Sequence, residues 1–349
     1  MPITESSPRA GFIRQLNRAQ PFWLALAVFV LVWLLSVTPT WQSIEHKGFD
    51  ALIRLSAPAN VDLPIVMVGI DEPSFADLAR GWPWPRGLHA QLVRSLHRAG
   101  AAVIAFDIVF ADPSFPAADQ DLANAIGEAG NVVLAGELAY QSHELFEQVI
   151  RIDPLGQFLE AGAETGLASV TVDDDVVVRK LPQAEDALWR QIIRTWNRER
   201  PGHSAGNPNL PPGTLIRYLP PGDGFSYASY YQALAPEQML PPDFFRDKVA
   251  LVGLNLMATP EPGSAQSDQF ATPYLAVTGA LSPGVELVAM EVANGLMDRS
   301  VTPAAPWVPV MAMVAALLVA VPGMRSWRPL PSGLLAWVSL RRWRFCPGA

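Results

Sequence analysis

The chain has 349 residues, half of them hydrophobic, with a slightly positive mean hydropathy and a formal net charge of −8. That hydropathy is unusual for a purely soluble globule, so part of the chain is expected in a membrane, and the acidic balance argues against nucleic acid, whose phosphates require clustered Lys and Arg. The single cysteine, Cys346, stands near the C-terminus, so the body of the chain must be held by its core without a disulfide.

Residues 1–21 form a tail carrying Arg9, Arg14 and Arg18. Trp23 to Thr38 lies in an uncharged stretch bounded by Arg18 and Glu45, long enough for the about 20 residues that a bilayer core requires, and predicts a span over 22–40. Ser300 to Met324 is a second uncharged stretch, interrupted by Pro303, Pro306, Pro309 and Pro322, and predicts a span over 301–324. Arg325, Arg328, Arg341, Arg342 and Arg344 follow it in the tail 325–349. Positive charge stays on the cytoplasmic side, so both tails are expected inside and residues 41–300 outside. A cleaved signal peptide is the competing reading of the start. The tail to Arg18 contributes +2 and the tail from Arg325 +5, so the middle carries −15.

Trp41 to Ser56 reads as a helix leading out of the membrane. Ile65 to Ile70 is a β-branched run too short for a helix and closed by Asp71-Glu72-Pro73, which predicts a strand buried on both faces. Ala101 to Ile108 repeats that signature. Between them Leu88, Leu92, Val93 and Leu96 mark a helical face opened by Pro85 and closed by Gly100. The unit is βαβ, with two parallel strands expected side by side and a right-handed crossover. A loop over Asp112 to Asp119, a helix from Asp121 to Ala129 and a third short strand from Asn131 to Glu137 extend it to βαβαβ. The fold class is therefore α/β, a doubly wound, mostly parallel sheet. Further on, a helix at Leu155 to Ala163, a hairpin around Asp173-Asp174-Asp175, a helix at Ala187 to Arg200, strands at Leu215 to Leu219 and Val249 to Leu254, a loop from Met257 to Tyr274 and a helix at Val285 to Leu296 are expected.

In open parallel sheets the working crevice lies beyond the carboxyl ends of the strands. Those ends carry Asp71 with Glu72, then Asp107, and the loop Trp82-Pro83-Trp84-Pro85-Arg86 is expected to lie over them. Asp71, Glu72 and Asp107 could ligate a cation or a polar ligand, or cap a helix and pair with Arg86. Trp82 and Trp84 offer a rigid apolar wall and Arg86 a planar fork, or else the indoles pack over the sheet edge and Arg86 braces the loop against Asp71 or Asp107. The Asp173 to Asp175 run lacks the alternate ligands, glycine and terminal Glu of a calcium loop and reads as a solvated turn. The histidines show no zinc-binding spacing, and nucleophile-elbow, P-loop and dinucleotide motifs are absent from the sequence.

The order of motifs resembles one family. WPWPR after an IDE-ended strand, AVIAFDIVF, an aspartate-rich turn followed by a V-R step, IRY, F-x-x-KVALVG, TP and PGVELVAMEVANGL together are similar to the type-two CHASE domain, over about Lys47 to Arg299. The resemblance implies an extracytoplasmic sensory domain of the kind attached to bacterial cyclases, histidine kinases and serine/threonine kinases, with one span before it and commonly three after. It departs from the pattern where Val176 follows Asp175 in place of a frequent glycine, and where Val288-Ala289 stands for a His-Ala pair. About 25 residues follow Met324, so the output domain is expected to be missing.

The expected function is a membrane-anchored receptor module in a bacterial inner membrane, with its central domain periplasmic or extracellular, no enzyme activity and no cofactor. Its expected partner is a small extracytoplasmic ligand or a periplasmic protein, with no nucleic acid and a homodimer left open. The ligand contacts expected are Asp71, Glu72, Trp82, Trp84, Arg86 and Asp107. The alternative is a metal-assisted hydrolase using the acidic crevice; fold alone does not separate the two.

Overall fold

The computed structural model describes residues 25–58, 61–143, 146–202, 205–222, 224–256, 268–297, 301–305 and 307–326. The tails 1–21 and 327–349, the start of the first apolar stretch, Cys346 and most of the loop from Met257 to Tyr274 lie outside the described residues. Two compact units divide the chain, one of Lys47–Pro303 and one of the flanks Met1–His46 and Ala304–Ala349.

In the flanking unit, α1 (Ala25–Ser36) and the first turns of α2 (Pro39–Leu55) are separated by a bend of 77°. Among the described residues no single helix is long and apolar enough to cross a membrane, although α1 and α2 together meet that length and composition.

The larger unit begins with the second half of α2 and then β1 (Ile65–Ile70), every residue of which is buried. A short α3 (Glu72–Leu78) and α4 (Arg86–Arg98) lead to β2 (Val103–Val109), and α5 (Pro116–Ala129) to β3 (Val132–His143). Next come β4 (Phe146–Ile152), α6 (Gly156–Glu160), β5 (Glu164–Leu167), the hairpin of β6 (Thr171–Val172) and β7 (Val178–Lys180), and α7 (Leu188–Glu199). The remainder is β8 (Ser226–Ser229), α8 (Tyr230–Leu234), α9 (Pro236–Met239), β9 (Val249–Leu254), β10 (Gln269–Phe270), α10 (Leu275–Thr278), β11 (Ser282–Pro283) and α11 (Gly284–Met297). α12 (Trp307–Ser326) belongs to the flanking unit.

The chain is mixed α/β, with a mostly parallel sheet whose strands run in the order β4-β3-β2-β9-β1-β8, while β5 also pairs with β3. Among the described residues only β3 with β4 is antiparallel in it. Each central strand alternates between two cores, because successive side chains point to opposite faces. Ile65, Met67, Val103, Ala105, Val249 and Leu251 pack under α7 and α11. Val66, Val68, Ile104, Phe106, Ala250 and Val252 pack under α4, α5 and α8. Burying each Val, Leu, Ile, Met or Phe side chain among these contributes about 1.5–3 kcal/mol, which lets two apolar layers hold the unit without a cross-link.

Several expectations need correction. β1 and β2 are parallel but not neighbours: β9 lies between them, with Ile65 and Val103 both in register with Val249. Leu215 to Leu219 is not a strand; Leu215 makes only isolated bridges with Lys180 and Val301, and the edge position is taken by β8. β3 runs on to His143 because β4 returns along its second half, and α5 starts at Pro116, inside the stretch expected to be a loop. The helix expected at Leu155 to Ala163 is the five-residue α6. The turn at Asp173 to Asp175 is solvated at Asp174 and Val176, as expected, but its flanking carboxylates also turn inward. Asp173 and Asp175, together with Asp50 of α2, surround Arg179, whose side chain is 2% exposed. Val176 follows at φ 66°, a left-handed conformation that a β-branched residue rarely adopts, which explains a glycine preference there.

Candidate functional site

β1 ends at Ile70, and Asp71 in extended conformation caps α3. Its Oδ1 accepts the Ser74 backbone N–H at 2.9 Å and the Ser74 hydroxyl at 2.5 Å. Its Oδ2 accepts the Tyr227 hydroxyl at 2.7 Å and the Ser229 hydroxyl at 2.6 Å. Both oxygens are thus committed within the protein, and the capping role expected of Asp71 is present. The bond to Tyr227 fixes that ring across β1. It lies over Gly69, where any Cβ would collide with it, so the close approach needs glycine.

The Tyr227 ring is one wall of a cavity of about 660 Å³ at the carboxyl end of β1. Met67 and Met290 form its floor, Phe225 and Tyr274 add aromatic surface, and Asp71, Glu72 and Glu286 bring carboxylates. Glu286 stands half-buried in the first turn of α11. Burial raises its carboxyl above the usual range, opposed by a hydrogen bond from Ser282. Burial also raises the Tyr227 phenol, reinforced by its bond to Asp71. A volume of this size, mostly apolar with a few polar groups, is that of a small-molecule pocket.

Of the six residues read from the sequence, the structure brings only Asp71 and Glu72 to this cavity. Trp84 is 3% exposed in the opposite core, with its ring 5.0 Å from Phe75 and 4.8 Å from Tyr230. Its Nε1 donates to the Arg80 carbonyl at 3.2 Å. Trp82 packs edge-on against it at 5.7 Å. Both indoles pack among α3, α4 and α8, together with His89, whose Nδ1 is 2.9 Å from the Tyr230 hydroxyl. Burial, with a smaller contribution from Arg86, depresses the His89 imidazole to about 3, so it is neutral in that apolar setting.

Arg86 does not brace Asp71 or Asp107. Its guanidinium lies 4.3 Å over the Phe110 ring, Nη2 donates to the Asp112 carbonyl at 3.2 Å, and Nε is 3.7 Å from Asp119 Oδ1. Asp107 follows Val103 and Ala105 in the odd-numbered register, so it points to the α11 face, away from the tryptophan loop. There it stands close to Gly253 and Val285. Burial and then Asp268 push its carboxyl up to about 7. Glu291 of α11, 3% exposed, is raised well above the usual range by burial and then by Asp107. Among the described residues no group of three His, Cys, Asp or Glu is arranged to hold a metal ion.

Sequence reasoning missed Tyr227, Tyr274 and Glu286 as cavity residues. Glu286 carried a usable signal, an acid in the first turn of a mostly apolar helix. Tyr227 carried none, because its partner Asp71 is 156 residues away.

The fold is thus a doubly wound α/β domain with an open cavity at its strand ends. The chain belongs to the CHASE2 domain family, whose model matches residues 24–324. This is a family of extracellular sensory domains. Neither the comparison with curated proteins nor that with solved structures found a match.

Proposed function

We propose that the chain is a membrane-anchored extracytoplasmic sensor module whose ligand site is the cavity between β1, β8 and the start of α11. The observation that carries this reading is the cavity itself: it occupies the carboxyl end of the sheet, where open α/β folds bind ligands, in a chain of a sensory family. Asp71 serves it by fixing Tyr227, and Glu72 stands at its rim. Trp82, Trp84, Arg86 and Asp107 support the scaffold from outside. Membership of an extracellular family and the arginine bias at both ends support spans over 22–40 and 301–324, cytoplasmic tails and a domain over 41–300 outside a bacterial inner membrane.

Two outcomes are expected. Reporter fusions after Thr40 and after Arg328 should report the extracytoplasmic and cytoplasmic sides respectively; a cytoplasmic signal at Thr40 contradicts the topology. A thermal-shift screen of the full-length chain should find a small molecule that raises its melting temperature, and Ala280→Trp, which places an indole at the cavity rim, should erase that rise. A ligand whose stabilisation survives Ala280→Trp but is lost in Arg86→Met would move the site to the tryptophan loop.

A further inference from the structure

We infer that the cavity takes an organic cation, an ammonium compound with an apolar or aromatic body; this rests on the cavity being the ligand site. Its described lining holds three carboxyl side chains, Asp71, Glu72 and Glu286, and three aromatic rings, Phe225, Tyr227 and Tyr274, with no Lys, Arg or His. The start of α11 contributes a helix N-terminus that on its own favours an anion. That pole is worth about half a charge and already faces Glu286 in its own first turn, so three carboxyl groups outweigh it.

The groups divide the work. Asp71 spends its four hydrogen bonds on Ser74, Tyr227 and Ser229, and so holds the Tyr227 ring as a fixed wall. A cation gains attraction from the face of such a ring, more when it is desolvated. Glu286 lies half-buried on the same cavity, and an ammonium group placed beside it would offset the cost of burying its charge. The methionine floor and the proline-rich rim suit an apolar body. An anion would meet like charge on several sides, and a plain sugar would leave the apolar floor unused.

The full-length chain in nanodiscs, titrated by calorimetry with phenethylammonium, neutral 2-phenylethanol and anionic phenylacetate, tests the inference. Phenethylammonium should bind at least about tenfold tighter than phenylacetate, as one good cation–carboxylate contact implies. Glu286→Gln should weaken phenethylammonium about tenfold and leave 2-phenylethanol within about twofold, and because it removes a half-buried charge the variant should fold at least as well as the parent. Tyr274→Leu should weaken the ammonium compound by about threefold through the lost ring face. Equal or tighter binding of phenylacetate overturns the cationic class, as does an unchanged ammonium affinity in Glu286→Gln. Binding of the neutral or anionic probe that Ala280→Trp abolishes would leave the cavity as a ligand site and remove only its class. Absence of phenethylammonium binding at about 10 mM overturns the cationic class, and the cavity reading then stands or falls on the separate Ala280→Trp screen.

Discussion

Arg179→Met is expected to cost the larger unit about 3–5 kcal/mol, the range for removing one member of a buried ion pair. The guanidinium is held as a fork: Nε and Nη2 donate to the two oxygens of Asp50 at 2.7 and 2.9 Å, and Nη1 and Nη2 to those of Asp175 at 2.7 and 2.8 Å. Nη1 also reaches Asp173 at 3.2 Å. Burial alone would lower the Arg179 pKa, but its hydrogen bonds to Asp50 and Asp175 hold it above its ordinary value. Methionine fills most of the volume and leaves Asp50 and Asp173, 13% and 7% exposed, without their central cation. Lysine should recover only part of the loss, since one ammonium cannot serve two forks. Asp175→Asn should cost about 1 kcal/mol or less, because that carboxylate is a third exposed. Thermal melts of Asp50→Asn, Arg179→Met and the double variant check this: strong coupling between the two positions is expected, and simple additivity would remove the network from the stability of the fold. The consequence for a sensor is mechanical, since Asp50 lies on α2, and the network fastens that helical turn to the β6–β7 hairpin.

Glu291→Gln is expected to act in the opposite direction and to stabilise the protein by about 2–4 kcal/mol at pH 8, the scale of an unpaired charge in a core. Glu291 is buried between α11 and the sheet; Asp107 faces it from β2, Asp268 stands close to Asp107 and the start of α11, and Tyr218 lies nearby. Both Glu291 and Asp107 have folded-state pKa values above their ordinary ones, so the folded chain holds protons that the unfolded chain releases. The sign follows directly. Below pH about 4 both states are protonated and nothing is lost, and as pH rises toward 7 stability falls, by up to about 1.4 kcal/mol per pH unit for each such group. Melting temperatures of parent and variant from pH 4 to 8 check it. The parent should lose stability across that window and Glu291→Gln should lose less. A variant with the parent's slope, or one less stable at pH 8, would mean that Glu291 is ionised and paired in the folded state.

The Asp107 position shows how far reading strand by strand could go. The apolar runs of β1, β2 and β9 and the helical faces of α4, α7 and α11 are local patterns, and a period of two or of 3.6 residues is visible within a dozen positions. WPWPR and the strand ends IDE and FDI carried enough local identity to point to the family. In a strand buried on both faces, however, every residue is apolar, so alternation no longer says which helix covers which face. Asp107 was therefore grouped with Arg86, while the sheet places the two on opposite sides.

By itself the sequence determined the α/β class, the family, the positions of the central strands β1, β2 and β9, the lack of any cysteine before Cys346 and the acidity of the middle of the chain, because each is a property of composition or of short-range period. Only the tertiary structure decided that β9 separates β1 from β2, that Tyr227 crosses Gly69 to meet Asp71, that the aspartate turn closes on Arg179, and that Glu286 rather than Arg86 or Asp107 faces the cavity. Those features join residues far apart in the chain. Nothing in the local periodicity encodes such pairings, and they are chosen by the packing of two apolar layers around one sheet and by the need of each buried charge for a partner.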